Sequence, residues 1–463
     1  MSTLDVLARL SARLDERTPA LTRLDGYYAG TQPASFLAPE ARVALGDRLR
    51  VLSVNLPRLQ VQALAERLGV TGFRTAGPDT DPDADLWRIW RANGLEDASA
   101  QAHVDALVYG RAFVIVWAGR TPQTPRVTVE SARQVAVEYD PGSREVTCAV
   151  KRWSAGGRGQ AVVYERDRIT RYTSSSYLPV GTVSPAPAEG TVPELLSPAG
   201  GWSSAGSVPN PLGVVPVVPL VNRGRLLDVD GVSEMADVLG LTDALNKVMS
   251  DAMVTSEFFA RPRRWAVGLE LVEDDQGNAV NPFPNEADRM WQSEDPATRF
   301  GQFDAARLDG YSDLAATITH QIGALTGLPP HYLGLHGDQP ASADAIRSAE
   351  ASLVARAVSR QRTFGQAWSD VAALILAVRD GQDPAALDVE TVWASPETRT
   401  PAQAADAAAK LAGIGVPLAV VLADTLGMTP SQIERVRAAR RADALDAAPA
   451  APAVPALPTL LAP

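Results

Sequence analysis

The amino-acid sequence predicts an α+β protein that is predominantly helical and contains one small antiparallel β unit. Apolar residues recur at helical spacing towards both ends of the chain, whereas residues 112–172 hold short apolar runs separated by turn residues. The chain has 463 residues, of which 46% are apolar and 21% are charged. The composition is that of a folded protein, and the length predicts more than one domain-sized unit.

The first 110 residues are predicted to be helical. An apolar stripe at helical spacing runs from Leu86 to Trp90. Ser99 is the predicted N-cap of a helix over 100–109, and Gly110 is the predicted left-handed residue that ends it.

Residues 112–172 are predicted to form the β unit. Asp140, Pro141, Gly142 and Ser143 are residue types that favour a tight turn, and they are predicted to connect two strands. The segment 173–211 is rich in Ser, Pro and Gly, and it is predicted to be a long, mobile surface loop. The predicted strands are 112–117, 135–139, 145–150, 161–164 and 169–172.

Three long helices with apolar stripes are predicted next. The first is expected to open at Gly231 and Ser233 and to end before Pro262, with charged residues at four-residue spacing on its exposed side. A small insertion separates it from the second, over 311–325. The third begins at the N-cap Ser342 and continues for nearly forty residues, so it needs a large partner surface.

The sequence contains no recognisable catalytic centre or cofactor motif. None of the three lysines follows a glycine, so the phosphate-binding loop of a nucleotide-driven motor is absent. The single Cys148 excludes a disulfide framework and a multi-cysteine metal site. A net charge of −11 argues against a protein that grips nucleic acid over its whole surface. No signal peptide or membrane span is expected.

The strongest metal-site candidate is a glycine-rich loop that holds His331, His336 and Asp338. A metal site needs further ligands and a fixed geometry, which this spacing does not supply. Ordinary loop histidines are therefore the favoured interpretation.

The order of the predicted elements is more informative than any single residue. A mixed α/β region precedes an acidic helix, a small insertion, a second helix, a glycine-rich loop, a very long helix and a helical C-terminus. This order, together with short strings spread over about residues 20–440, resembles the portal proteins of tailed double-stranded DNA phages. The strings are Tyr27-Tyr28-Ala29-Gly30, Val54-Asn55-Leu56-Pro57, Leu86-Trp87-Arg88-Ile89-Trp90, His103-Val104-Asp105-Ala106-Leu107-Val108-Tyr109-Gly110, Asn210-Pro211-Leu212-Gly213-Val214-Val215-Pro216, Gly231-Val232-Ser233-Glu234, Leu333-Gly334 and Ser342-Ala343-Asp344-Ala345-Ile346-Arg347.

The resemblance implies a structural protein rather than an enzyme: one subunit of a dodecameric ring at a single capsid vertex. Double-stranded DNA would pass through the channel of the ring during packaging and ejection. The implied partners are further copies of the chain, the terminase packaging ATPase, a connector or adaptor protein, and the major capsid and scaffolding proteins. The protein would reside in the virion after assembly in the host cytoplasm, and neither a cofactor nor a membrane is implied.

The resemblance also divides the chain into parts. These are a wing (1–225), a first stem helix (226–262), a clip (263–306), a second stem helix (307–328), a tunnel loop (329–341), a long wing helix with the segment after it (342–394), a crown (395–442) and a disordered tail rich in Pro and Ala (443–463).

Three groups of residues are implied to serve the channel. An acidic stem repels phosphates and releases no counterions, so DNA can slide without sticking. Arg and Trp residues of the clip are expected at a subunit or partner interface, because such residues dominate association energetics. The tunnel loop would form the narrowest ring, the alternative being an ordinary connection between helices. The groups are Glu234, Asp237, Asp243, Asp251 and Glu257 in the stem, Arg263, Arg264 and Trp265 in the clip, and Gly334, Leu335, His336, Gly337, Asp338 and Gln339 in the tunnel loop.

Two rival hypotheses stay open at this stage. A scaffolding or minor capsid protein would share the acidic, enzyme-free character but would form no closed ring. A metal-dependent enzyme built around the three loop residues would be a monomer with bound metal.

Overall fold

The computed structural model describes two compact units with helices and antiparallel sheets, which confirms the predicted α+β class. The first unit comprises Met1–Gln32, Asn55–Leu239 and Leu325–Pro463, and the second comprises Pro33–Val54 and Gly240–Ala324. The described residues are 2–33, 53–75, 82–121, 123–156, 158–177, 201–259, 264–268, 272–273, 279–280, 296–302, 308–335, 342–398 and 400–446.

Several helices begin where a side chain accepts hydrogen bonds from the free backbone N–H groups of the first turn. Ser2 and Asp5 form a capping box at the first helix, and the Ser342 hydroxyl accepts a hydrogen bond from the Ala345 N–H at 3.2 Å. None of the helices in the described ranges is both long and apolar enough to cross a membrane. The helices are α1 Thr3–Ala29, α2 Leu56–Ala65, α3 Ala84–Ala92, α4 Leu95–Tyr109, α5 Leu239–Phe259, α6 Asp309–Thr326, α7 Ala343–Asp380, α8 Pro401–Gly413, α9 Leu418–Val420 (continued by a π-helical turn, Val421–Thr425) and α10 Pro430–Asp446.

The strands form antiparallel sheets. They are β1 Val70–Thr75, β2 Arg111–Thr121, β3 Thr124–Ser131, β4 Val135–Tyr139, β5 Val146–Ala155, β6 Arg158–Glu165, β7 Arg168–Tyr177, β8 Trp202–Pro209, β9 Val217–Val221, β10 Arg264–Val267, β11 Val272–Glu273, β12 Ala279–Val280, β13 Arg299–Gln302 and β14 Val389–Trp393. In the first unit the strand orders are β4-β5-β6-β7-β8, β3-β2-β9 and β1-β14. In the second unit β10 pairs with β13 and β11 with β12.

The core of the first unit is built around the second half of α7. Phe364, Trp368 and Val371 are fully buried there, and the Trp368 ring meets the Trp90 ring of α3 edge to face, with centroids 4.9 Å apart. The α1 helix buries its apolar face on the five-stranded sheet. The predicted long buried face of α7 is confirmed, although Ile346 near its start is 38% exposed.

Two glycines meet where α4 ends. Gly110 and Gly231 both have positive φ angles, 87° and 72°. A Cβ atom on Gly231 would lie 2.2 Å from the carbonyl oxygen of Gly110, a distance that no side chain tolerates. This close approach lets the chain after β9 return against the end of α4, where the Glu234 N–H donates to the Leu107 carbonyl at 2.8 Å.

Several predicted elements are wrong. The first 110 residues are not all helical, because β1 pairs with β14 there. Ser99 is not an N-cap: α4 begins four residues earlier, after Gly94, and Ser99 is buried within it. The segment 173–211 is not one loop, because β7 continues to Tyr177 and β8 pairs with it, and residues 178–200 lie outside the described residues.

The first long helix starts later than predicted. Gly231 and Ser233 belong to irregular chain, a 3-10 turn covers Ala236–Val238, and α5 begins at Leu239. Pro262, its predicted end, lies outside the described residues, and the helix is described as far as Phe259.

Candidate functional site

The predicted charge ladder lies on α5 in the second unit. Lys247 forms an ion pair with Asp251 one turn further along. The α5 residues Leu245 and Val248 are buried. The helix also carries Asp243 and Glu257, and the Glu257 side chain lies outside the part of the chain that the structure describes. Asp243, Lys247 and Asp251 are half-buried rather than fully solvent-facing as predicted, and the role of this helix in a channel stays a prediction.

Glu234 does not belong to an exposed acidic wall. Only 1% of the residue is exposed, and it precedes α5 by five residues in the first unit. Its carboxylate lies 3.0 Å from Arg360 Nη2 and 3.6 Å from Arg356 Nη1, both on α7, and accepts a hydrogen bond from Asn222 at 3.2 Å. The prediction for Glu234 is therefore wrong: its charge is neutralised inside the fold.

Asp237 also precedes α5, in the 3-10 turn. Its carboxylate lies 2.9 Å from Arg223 Nη2, and its side chain is about half exposed. Asp237 is therefore not a residue of the stem helix as predicted, and an arginine of the first unit balances its charge.

A third acidic residue of the same segment anchors it to two further elements. The Asp230 carboxylate forms ion pairs with Arg13 and Arg17 of α1 and with the buried Arg111 at the start of β2. Three guanidinium groups thus converge on one carboxylate. Sequence reasoning missed this cluster, although arginines at four-residue spacing on α1 were a usable signal for a shared acidic partner.

The predicted clip residues fall partly within the described residues. Trp265 lies on β10 opposite Gly301 of β13, is 39% exposed, and covers that glycine with its indole ring. Arg264 starts β10, and Arg263 lies outside the described residues. The exposed indole is compatible with an interface, which stays a prediction.

The predicted tunnel loop is described only at its start. A 3-10 turn covers Pro330–Leu333, Gly334 follows with a φ of 70°, and the Leu335 N–H donates to the Pro330 carbonyl at 3.0 Å. The other four residues of the prediction, His336, Gly337, Asp338 and Gln339, lie outside the described residues.

The described residues around His331 do not have the arrangement of a metal site. His331 Nε2 lies 3.7 Å from a carboxylate oxygen of Glu350, which also pairs with Arg67 at 3.2 Å. Its suggested partners His336 and Asp338 lie outside the described residues. Among the residues that are described, no three His, Cys, Asp or Glu side chains group as metal ligands would.

Comparison with known proteins identifies the family. The family described as "Phage portal protein, SPP1 Gp6-like" matches residues 7–444. The portal proteins of Mycobacterium phages L5 and D29 are each 34% identical to the chain over 374 residues, which is 78% of this chain and 73% of theirs. The chain belongs to the SPP1 Gp6-like phage portal family, which confirms the resemblance inferred from the sequence strings.

Solved structures of gene transfer agent particles are more distant. A chain of the "Virion of native gene transfer agent (GTA) particle" is 14% identical, with a TM-score of 0.46 and coverage of 89% of this chain and 94% of that one. A chain of the "Neck of native GTA particle computed with C12 symmetry" is also 14% identical, with a TM-score of 0.44 and coverage of 86% and 95%.

Proposed function

We propose that the chain is a portal subunit, copies of which form a ring-shaped channel at one vertex of a phage head. Double-stranded DNA enters through this channel during packaging and leaves through it during ejection. The observation that carries the proposal is the family match over residues 7–444, with 34% identity to two mycobacteriophage portal proteins. The protein is a structural part of the virion, and the packaging ATPase supplies the energy for DNA movement.

The parts of the chain take the roles that the sequence resemblance implies. Most of the first unit is wing and crown, and the second unit, Pro33–Val54 and Gly240–Ala324, holds most of both stem helices and the clip. The clip docks the terminase ATPase and later the connector or adaptor. Trp265 supports this role. Its side chain is exposed in the single chain, and aromatic side chains that become buried at an interface contribute much of the energy of association.

The channel wall of this proposal contains fewer acidic residues than the sequence predicts. Glu234 is buried and Asp237 belongs to the first unit, so the acidic lining consists of Asp243, Asp251 and Glu257, with Lys247 as the opposing charge. The wall remains negative, which suits a conduit that DNA must not grip. Residues 334–339 of the tunnel loop narrow the channel beyond this wall.

Negative-stain images and native mass spectrometry of the purified chain test the proposal. A closed ring with a central opening and a mass of many subunits, twelve by the family resemblance, is the expected result. A concentration-independent monomer would contradict it. Open or irregular assemblies would favour a scaffolding protein, and a monomer with bound metal would favour the enzyme hypothesis.

A further inference from the structure

The C-terminal end of α6 is held by an arginine of another helix. The last four carbonyl groups of an α-helix have no partner within the helix, and arginine side chains are one of the groups that satisfy them. The Leu325 carbonyl, one residue before the end of α6, accepts a hydrogen bond from Arg356 Nη2 of α7 at 2.8 Å. The guanidinium charge lies at the negative end of the helix dipole, which strengthens the contact.

The chain after α6 lies directly against the same part of α7. Gly327 has a φ of 69°, and a Cβ atom on it would lie 2.6 Å from Ser352 Oγ and 2.9 Å from Arg356 Nε. The 3-10 turn Pro330–Leu333, where the predicted tunnel loop starts, follows within a few residues. A shift of the end of α6 would therefore shift the start of that loop.

Arg356 is itself held by a buried acceptor. Its Nη1 atom lies 3.6 Å from Oε1 of Glu234, the buried carboxylate that precedes α5. The backbone of Glu234 is fixed on both sides, because its N–H donates to the Leu107 carbonyl and its carbonyl accepts from Gln60 Nε2, each at 2.8 Å. The two terminal nitrogens of one planar guanidinium thus connect the end of α6 to the segment before α5.

We infer that Arg356 is a positioning residue, which sets where α6 ends on α7 and where the chain towards the tunnel loop begins. Arg360 shares the Glu234 carboxylate, but its hydrogen bonds go to Glu234 and to the neighbouring Ser359 instead of to α6. Arg360 therefore neutralises the buried charge, and Arg356 uses it as an anchor. In the proposed ring every subunit has this contact, which places the starts of all tunnel loops alike around the channel. This last step rests on the proposed function.

Hydrogen exchange measured by mass spectrometry tests the positioning role. Arg356→Met removes both contacts and keeps a long, unbranched side chain, while Arg360 still pairs with Glu234. A peptide over 323–335 should exchange about tenfold faster in this variant, because a hydrogen bond from a charged donor changes a local opening equilibrium by about that factor. Arg362→Met, at an exposed arginine of the same helix, is the matched control and should exchange like the unaltered chain.

Arg360→Met distinguishes positioning from a general effect on stability. Arg360 lies nearer to the Glu234 carboxylate, at 3.0 Å against 3.6 Å, and its side chain is 11% exposed against 32% for Arg356. Arg360→Met should therefore lower the thermal midpoint more than Arg356→Met does. Exchange of 323–335, measured relative to that of the core helix α4, should nevertheless accelerate only in Arg356→Met. A residue with a purely structural role would lower stability and protection together.

Packaging measures the consequence for DNA passage. Heads assembled with Arg356→Met should include a smaller fraction that is filled with full-length DNA than heads assembled with Arg362→Met, because the tunnel loops no longer start from fixed positions. The measurement is the length of DNA extracted from heads of equal number.

The outcomes separate this inference from the proposed function. Unchanged exchange of 323–335 in Arg356→Met, or the same relative acceleration in Arg360→Met, overturns the positioning role. Faster exchange with a normal fraction of filled heads overturns its part in DNA passage. Failure of the unaltered chain to form rings overturns the proposed function, and the exchange experiment on the full unassembled chain still tests the contact.

Discussion

Glu234 holds a charge inside the protein that two arginines of α7 neutralise. Removing one partner of a buried ion pair leaves the opposite charge buried and unpaired, which costs about 3–5 kcal/mol. We therefore expect Glu234→Gln to lower the free energy of unfolding by about that amount, because Arg356 and Arg360 lose their shared carboxylate. Urea unfolding followed by tryptophan fluorescence measures the change.

Asp237→Asn is the matched control for this experiment. Asp237 is a neighbouring acidic residue with an arginine partner, but its side chain is 49% exposed. An exposed pair contributes about 0–1 kcal/mol, so the control should unfold almost like the unaltered chain. If both variants lost the same free energy of unfolding, the burial of Glu234 would not be the reason for its contribution to stability.

His103 should make the fold sensitive to acid. The side chain is fully buried, stacks on Phe364 and accepts a hydrogen bond from the Trp368 indole N–H at 2.8 Å. Desolvation lowers its pKa to about 3 from an ordinary 6.5. Between these values the unfolded chain binds a proton that the folded chain does not. Stability is therefore complete above pH 6.5 and falls as the pH drops, by up to about 1.4 kcal/mol per pH unit.

His103→Gln tests this contribution. Glutamine can accept the hydrogen bond from Trp368 but does not titrate, so the loss of stability between pH 7 and pH 5 should shrink, even if the variant is less stable at pH 7. His320→Gln, at an exposed histidine of α6, should keep the full pH dependence. The same slope in the His103 variant and the unaltered chain would rule out His103 as its source.

At the scale of elements, the charge of α5 should govern how freely DNA moves. Asp251→Lys adds a cation beside Lys247 in every copy, and clustered cations bind phosphates with release of counterions. We expect less DNA in each head, with a larger deficit at low salt than at high salt. The measurement is the length of DNA extracted from heads packaged by the variant.

Glu390→Lys makes the same charge change on β14, at a side chain that is 72% exposed and outside the proposed channel. It should package DNA of normal length. Full-length DNA in both variants at every salt concentration would contradict a role of α5 in the channel wall.

Elements with strong local signals were predictable and those with distant partners were not. The α7 helix starts at the predicted cap Ser342 because capping and apolar spacing are local properties. In contrast, β1 and β14 are short and more than 300 residues apart in the chain, so neither indicates the pairing alone. Almost every residue of β8 is exposed, so this edge strand lacks the apolar alternation that indicates a strand.

The same reasoning explains the residues that sequence analysis placed wrongly. The sequence predicts Glu234 on the acidic wall because the stem helix is expected to open at Gly231 and Ser233, whereas the helix begins at Leu239. Its partners belong to the same unit but lie more than 120 residues further along the chain, after the residues of the second unit. Spacing within a helix predicts i, i+4 neighbours such as Lys247 and Asp251, but only the folded chain shows which charges converge from separate elements.

For the whole molecule, a net charge of −11 should keep the assembled protein from holding DNA. We expect a dissociation constant weaker than about 10⁻⁴ M for a fluorescent duplex at physiological salt, measured by anisotropy. Micromolar binding that weakens steeply with added salt would show a cationic surface that the charge balance does not indicate.

The contact between Gly110 and Gly231 limits how relatives of this chain can be recombined. Both positions are restricted twice, by a left-handed backbone and by the lack of room for a Cβ atom. A larger residue at one site therefore cannot be rescued by a change at the other. Chimaeras that take residues 1–110 from one portal protein and the remainder from another should fold only where the first parent has glycine at the position of Gly110 and the second has glycine at the position of Gly231.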